Sequence, residues 1–217
     1  MEGVILRGIG GFYTAMDASG AAYTVRAQGK LRRQKLKPKI GDFCVFNPGE
    51  GEEDGWILAL KPRKNELERP PVANIDIICV VLAAETPQPD LMLADRMLLA
   101  AAMRGIRAQL VINKMDRDAA RAREIAREYG NAGASPVCVS AKTGEGLNEL
   151  RELLKGTVHA FAGQSGAGKS SLINALYGLS VETGDLSRRI DRGKNTTRHS
   201  ELIHVKDGGM VLDTPGF

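Results

Sequence analysis

The stretch GQSGAGKSS, residues 163–171, has the form of a phosphate-binding loop. It matches G-x-x-x-x-G-K-[ST], in which glycines let backbone N–H groups turn inward around phosphates while the next helix directs its positive end at them. Lys169 would reach the β- and γ-phosphates, and the Ser170 hydroxyl would bind Mg²⁺. The predicted nucleotide-binding residues here are Gly163, Gln164, Ser165, Gly166, Ala167, Gly168, Lys169, Ser170 and Ser171.

A second motif predicts which base is bound. The stretch VINKMD places Asn113, Lys114, Met115 and Asp116 at the end of a predicted strand. A carboxylate at Asp116 can accept hydrogen bonds from N1–H and the 2-amino group of guanine, a donor pair that adenine lacks. Lys114 would lie along the base or the phosphate loop, and Asn113 would tie the segments together.

A third motif lies in VSAKTGEG, residues 139–146, which supplies Ser140, Ala141 and Lys142. The backbone N–H of Ala141 can contact guanine O6. All three motifs follow predicted strands, and the carboxyl ends of parallel strands are where such sheets bind ligands. Together they predict a guanine nucleotide site.

The last motif is DTPG, residues 213–216. Asp213 is placed to hold the Mg²⁺ water shell, and the Gly216 N–H to meet the γ-phosphate. Between this motif and the phosphate loop, GKNTTRH contains Thr196 and Thr197. One of them could close over Mg²⁺ in the triphosphate state, and we favour Thr197.

The elements that must position these motifs alternate between strand and helix, which predicts a mainly parallel sheet covered on both faces. Strands are predicted over 75–84, 107–114, 136–141 and 157–163, and helices over 91–105, 118–130, 147–154 and 169–178. Residues 200–206 and 208–214 would form a closing hairpin around 207–209.

The first 65 residues differ, since they contain short strands separated by turn residues and no convincing helix. This pattern predicts a small closed β-barrel, for which an OB-like barrel is one candidate. A charged seam with the Pro70–Pro71 pair follows, over residues 61–76.

A basic run, KLRRQKLKPK, lies within the predicted barrel and contains no acid. A solvated loop is the simpler interpretation of such a run, whereas polyanion binding becomes favoured when the run falls on a nucleic-acid-binding fold. The candidate RNA contacts are Lys30, Arg32, Arg33, Lys35, Lys37 and Lys39.

Composition is that of a soluble globular protein, with 217 residues and a net charge of +4. No apolar run approaches the roughly 20 residues of a membrane span, and no leader is evident. Cys44, Cys79 and Cys138 lack ligand spacing, so we expect buried, reduced thiols in a cytosolic protein.

The order of the motifs is unusual. GTPases run phosphate loop, switch threonine, DxxG, NKxD, SAK, whereas here NKMD and SAK precede GQSGAGKSS, the two-threonine loop and DTPG. The fold class predicted is therefore β plus α/β: an N-terminal barrel followed by a circularly permuted P-loop GTPase domain.

A basic barrel followed by GQSGAGKSSLIN, GKNTTRH and DTPGF resembles the ribosome small-subunit-dependent GTPase A family, over the whole chain. The resemblance implies an OB-fold domain over 1–66 and a permuted GTPase domain over 67–217. It implies a cytoplasmic, monomeric enzyme that binds GTP or GDP with Mg²⁺ and acts on the small ribosomal subunit and its rRNA late in maturation. The family also has a C-terminal zinc domain; the sequence stops at Phe217, so we expect a fragment and assign Zn²⁺ to no residue.

Two positions bear on the mechanism of hydrolysis. Phe217 follows DTPG where many GTPases carry a water-orienting glutamine, and Asn195 stands where the family often has a histidine. His199 is a weaker catalytic candidate, while His159, in a strand, is expected to be structural. Two alternatives are an RNA-binding module that uses GTP as a conformational ligand with little turnover, and an ATP-dependent P-loop protein, which NKMD and SAK disfavour.

Overall fold

The computed structural model of the protein describes residues 1–33, 36–49, 53–68, 70–179, 200–206 and 208–213, without the side chains of Arg32 and Asp213. The first compact unit comprises Met1–Ile75 with residues 200–203. The second comprises the described residues of 76–196 and from 204 onward. The division therefore falls within the strand Glu201–His204.

The N-terminal unit is built on five strands that close into a barrel in the order β1-β2-β3-β5-β4. These are β1 (Glu2–Ile9), β2 (Phe12–Asp17), β3 (Ala22–Ala27), β4 (Phe43–Asn47) and β5 (Gly55–Leu60). Neighbours are antiparallel except β3 and β5, which are parallel. This arrangement is that of an OB-fold, and it confirms the predicted barrel.

One short helix, α1 (Gly29–Arg33), lies in this unit, where the sequence predicted none. Its Leu31 is buried in the barrel core with Ile5, Phe46 and Ile57. A single apolar side chain in a run of cations therefore fixes the helix to the barrel, and a one-turn element of this kind leaves no periodic signal in the sequence.

The segment after the barrel is tied back to it by charge. The Arg63 guanidinium donates to both carboxylate oxygens of the fully buried Asp42, at 2.7 and 2.8 Å. A two-stranded ribbon follows, formed by β6 (Glu66–Leu67) and β7 (Val72–Ala73). A buried charge is stable only when it is paired and hydrogen-bonded, so the buried Asp42 carboxylate holds Arg63 and its segment against the barrel.

The second unit contains a six-stranded sheet of order β10-β9-β8-β11-β13-β12. Its strands are β8 (Ile77–Ala83), β9 (Arg107–Asn113), β10 (Val137–Cys138), β11 (Val158–Gly163), β12 (Glu201–His204) and β13 (Met210–Asp213). The pairings from β10 to β13 are all parallel, as predicted. All seven residues of β8 are buried, which is typical of a strand covered on both faces.

Among the described residues, four helices connect these strands: α2 (Leu91–Ala102), α3 (Ala119–Asn131), α4 (Leu147–Leu154) and α5 (Lys169–Tyr177). The predicted closing hairpin is present, since Val205 N–H donates to the Gly209 carbonyl at 3.0 Å. Within the described ranges, no helix is long and apolar enough to cross a membrane.

The three cysteines are free thiols. Cys44 and Cys79 are fully buried, and burial raises the pKa of the Cys44 thiol to about 11 and that of Cys79 to about 12. Cys138 is half-buried, and burial raises its pKa as well. Protonated, buried thiols of this kind are inert, as expected from their apolar sequence surroundings.

Candidate guanine nucleotide site

The phosphate loop connects the end of β11 to the start of α5. Gly163, Gly166 and Gly168 have φ angles of +141°, +77° and +94°, a region that side chains with a Cβ rarely adopt. A Cβ on Gly163 would lie 2.3 Å from the Val81 carbonyl oxygen, inside the adjacent strand. The glycines of the motif are therefore required both for the turn and for its close approach to the sheet.

Lys169 begins α5 and folds back over this loop. Its Nζ donates to the carbonyl oxygens of Gly163 at 2.8 Å and Gln164 at 3.2 Å. Partial burial lowers the pKa of this ammonium group. Ser170 and Ser171 follow in the first turn, which has no side-chain cap, so its N–H groups are directed at the space in front of the loop.

Asn113, the last residue of β9, joins two loops. Its Nδ2 donates to the Ala167 carbonyl of the phosphate loop at 2.9 Å, and its Oδ1 accepts from Ala141 N–H at 3.1 Å. The side chain is almost fully buried. Lys114, at a φ of +64°, donates from Nζ to the carbonyl oxygens of Gly166 at 2.7 Å and Thr86 at 2.6 Å.

Asp116 is exposed beyond this joint, and the buried Ser140 orients it. The Ser140 hydroxyl donates to Asp116 Oδ1 at 2.6 Å, and this hydrogen bond is the main cause that holds the pKa of the Asp116 carboxyl below its ordinary value. Met115 N–H donates to the Val139 carbonyl at 3.2 Å, which pins the two motifs together. The carboxylate is thus ionised, positioned and accessible to a ligand.

The Ala141 N–H, expected to face guanine O6, is engaged by Asn113 Oδ1 in the structure. A contact with a base oxygen requires this donor to be shared. Lys142 is exposed beside it, and its charge contributes to the low pKa of Asp116.

One component of the site has no motif in the sequence: the loop after β8, residues 84–90. The Thr86 carbonyl accepts from Lys114, and Asp90 N–H donates to Gln164 Oε1 at 3.3 Å. Pro87 Cδ lies 3.4 Å from where a Cβ on Gly166 would be. The position of this loop after a central parallel strand was the only signal that could have pointed to it.

The switch residues are described only in part. Asp213 ends β13, whose register with β11 pairs Leu212 with Ala160, so its backbone lies at the same sheet edge as the phosphate loop. The other predicted positions on this side lie outside the described residues: Asn195, Thr196, Thr197, His199, Gly216 and Phe217.

The structure describes the side chains of four of the six predicted RNA-binding cations. Lys30, Arg33 and Lys37 are exposed. Lys39 is only 9% exposed, and its Nζ pairs with Glu66 at 2.9 Å and Glu68 at 2.7 Å. Lys39 is therefore occupied in a structural ion pair, which sets it apart from the phosphate contacts that the sequence suggested. Lys35 and the Arg32 side chain lie outside the described atoms.

His159 is fully buried on β11, in keeping with a structural role. Its Nδ1 lies 3.2 Å from the Thr157 carbonyl oxygen, and its Nε2 lies 2.7 Å from the Tyr177 hydroxyl. A carbonyl only accepts, so Nδ1 carries the proton and Nε2 accepts from Tyr177. Burial lowers the pKa of this imidazole to about 4.

The part of the chain that the structure describes contains no cluster of three or more His, Cys, Asp or Glu side chains able to hold a metal ion. A closed OB-fold barrel followed by a parallel sheet with NKMD, SAK and phosphate loops at one edge, in permuted chain order, defines the class: a circularly permuted P-loop GTPase.

Comparison with known proteins specifies the family. Residues 60–217 match the model described as RsgA GTPase, and residues 2–57 match the RsgA N-terminal domain. The chain belongs to the RsgA GTPase family.

Curated relatives and solved structures agree. The chain is 42% identical to the small ribosomal subunit biogenesis GTPase RsgA of Ruminiclostridium cellulolyticum, covering 99% of this chain and 72% of that protein. It is 43% identical to the protein of the same name from Moorella thermoacetica, covering 100% and 74%. The crystal structure of YjeQ from Thermotoga maritima has a TM-score of 0.82 at 33% identity, covering 100% and 74% of the two chains. YloQ, described as a circularly permuted GTPase, has a TM-score of 0.77 at 34% identity, covering 100% and 71%.

Proposed function

We propose that this GTPase binds GTP with Mg²⁺ at the sheet edge described above and hydrolyses it on the small ribosomal subunit, late in that subunit's maturation. The curated relatives carry small-subunit biogenesis in their names. Such a protein would act in the cytoplasm, as a monomer.

The observation that carries the nucleotide part is the bridge through Asn113. Its side chain joins the phosphate loop at Ala167 to the base-reading loop at Ala141. The two loops that must hold opposite ends of one nucleotide are thus positioned by a single buried amide. Asp116 supplies guanine preference, because a purine without the N1–H and amino donors would leave its carboxylate unpaired.

The residues at the phosphate end fit a metal-bound triphosphate. The Ser170 hydroxyl lies at the start of α5 and Asp213 at the end of β13, and oxygen donors of these kinds suit Mg²⁺. When bound, the ion neutralises charge on the β- and γ-phosphates. Lys169 would do the same from the protein side, Thr197 would close over the site, and the Gly216 N–H would meet the γ-phosphate.

Hydrolysis is expected to be slow without a partner. Phe217 offers no hydrogen bond to an attacking water, and Asn195 replaces the histidine expected from the family. His199 is the candidate in this chain for positioning the water. The subunit would then supply or order the missing group, which links turnover to its state.

The test is GTP turnover by this chain, alone and with purified small ribosomal subunits, with Lys169→Ala as the variant that loses phosphate binding. Stimulation by the subunit in the wild-type chain, absent from the variant, is the expected result. Tight GTP binding with no turnover under any condition would favour the alternative, an RNA-binding module that uses GTP as a conformational ligand.

A further inference from the structure

A row of exposed side chains crosses three adjacent strands on the outside of the barrel. Phe12 on β2 is the register partner of Arg26 on β3, and Arg26 is the partner of Trp56 on β5. Phe12 is 42% and Trp56 is 45% exposed. Register partners on adjacent strands point to the same face, so the three side chains form a continuous strip.

The middle of the strip is fixed. The Arg26 guanidinium carbon lies 4.1 Å from the centre of the Phe12 ring, and the group pairs with Asp54 at 2.8 Å. A guanidinium group that stacks on a ring and pairs with a carboxylate has restricted mobility, and its charge is already neutralised by a neighbour. Arg26 therefore contributes surface next to Trp56 and is not a free phosphate contact.

Free positive charge also lies beside Trp56. A shallow depression of about 340 Å³ is lined by Gln28, Gly29, Lys30, Arg33 and Trp56. Lys30 and Arg33 are exposed and make no ion pair among the side chains that the structure describes. The backbone of both residues is anchored because Leu31, between them, is buried in the barrel core.

We propose that Trp56 and this depression bind an unpaired nucleotide of RNA, with the base stacked on the indole and the adjoining phosphates against Lys30 and Arg33. The assignment rests on the proposed function on the small ribosomal subunit, whose rRNA the barrel would bind, and names the form of that RNA. Bases within a duplex already stack on each other, and only an unpaired base can present its face to an aromatic side chain. Fixed cations beside an open indole match that ligand.

The chain carries its own probe, because Trp56 is its sole tryptophan. Titrating it with a ten-nucleotide single-stranded RNA should quench the indole fluorescence, and a blunt-ended RNA duplex compared at the same phosphate concentration should bind more weakly and quench less. Equal quenching and equal affinity for the duplex would overturn the proposal.

Variants separate stacking from charge. Trp56→Leu should weaken single-strand binding by about 5- to 140-fold, whereas Trp56→Phe should retain most of it. Both variants lack the indole, so their affinities and that of the wild-type chain are compared by the fluorescence anisotropy of end-labelled RNA. The matched control is Phe43→Leu, at an exposed aromatic residue on β4 outside the strip. Circular dichroism and thermal unfolding check that each variant is folded, and the side chains replaced are too exposed to leave a core cavity.

The remaining outcomes also decide. Full affinity in Trp56→Leu, or an equal loss in Phe43→Leu, would refute the stacking site. If Trp56→Leu lost small-subunit binding without losing oligonucleotide binding, a protein rather than RNA would cover the indole, and the proposal would fall. In each of these cases persistent, GTP-dependent binding of the wild-type chain to small subunits would leave the proposed function standing.

Discussion

The Nδ2 atom of Asn113 lies 2.4 Å from the position that a Cβ would take on Gly168. Asn113 ends a strand on one side of the site, and Gly168 is the last residue before α5 on the other. The amide fits only because the glycine has no side chain. Position 168 must therefore be glycine for two reasons: a side chain there would collide with Asn113, more than fifty positions earlier in the chain, and the backbone has a φ of +94°.

Gly168→Ala should lower GTP affinity at least tenfold, because the methyl group displaces Asn113 and separates the two nucleotide loops. Gly178→Ala is the matched control: it lies just after the same helix, has a φ of +65°, and a Cβ there meets nothing within 4 Å. Both variants should lose about 1–3 kcal/mol of stability from backbone strain. Titration calorimetry with GTP should show the binding defect in Gly168→Ala alone.

Asp116→Asn should relax the preference for guanine, lowering the ratio of GTP to ATP affinity by at least about 100-fold. The amide cannot accept the paired donors of guanine in the way a carboxylate does. Asp118→Asn is the control, since Asp118 caps α3 by accepting from Arg121 N–H at 2.8 Å and has no part in base reading. Competition between the two nucleotides measures the ratio, and an equal change in both variants would remove Asp116 from its assigned role.

The buried His159 should make stability depend on pH. Its pKa is about 4 in the folded protein and about 6.5 in the unfolded chain. Protons therefore bind the unfolded chain more readily between these values, and the free energy of unfolding should fall by about 3 kcal/mol as pH drops from 6.5 to 4. Above pH 6.5 this contribution is constant.

Urea denaturation between pH 4 and pH 8 measures that effect. His159→Gln should flatten the profile in the window below pH 6.5, whatever its own cost in stability. His204→Gln, at an exposed residue on β12, is the control for replacing a histidine outside the core. A profile for His159→Gln that still falls by the wild-type amount would assign the pH dependence to other groups.

Replacing Lys30, Arg32 and Arg33 together with glutamine should weaken binding to small subunits. It should also reduce the magnitude of the slope of log affinity against log salt concentration by about 2 to 3, because binding then neutralises fewer phosphates and releases fewer counterions. Lys39→Gln should behave differently. Because Glu68 then loses its partner and Glu66 keeps only Arg63, it should lower stability while keeping the wild-type salt slope. An unchanged slope in the triple variant would favour the alternative interpretation, in which the basic run is a solvated loop that binds no RNA.

Periodicity was enough for the larger elements of the second unit. Helix α4 begins and ends where predicted, at Leu147 and Leu154, because its apolar residues follow a clear helical repeat. Helix α2 ends three residues earlier than predicted, since Gly105 adopts a φ of +65° and turns the chain. The predicted strand at 136–141 shortens to Val137–Cys138, because the SAK residues beyond it bond within their own loop.

Contacts distant in sequence could not be predicted. Lys39 was predicted to be an RNA contact like the other cations of its run, because its partners, Glu66 and Glu68, lie beyond the next two strands in the sequence. The motifs placed Asn113 and Asp116 at a strand end, but not the dependence of Asp116 on Ser140. The engagement of the Ala141 N–H by Asn113 likewise follows from a three-dimensional arrangement that no motif encodes.

The central position of β8 has a consequence for synthesis of the chain. Its Ile77 pairs with Arg107 on β9 and with His159 on β11, so one partner leaves the ribosome soon after β8 and the other much later. Until β11 emerges, one edge of IICVVLA stays unpaired, and this uncharged, proline-free segment has the composition of an aggregation-prone strand. The nascent protein should therefore depend on chaperone protection during that interval, and its nucleotide loops can assemble only at the end of it.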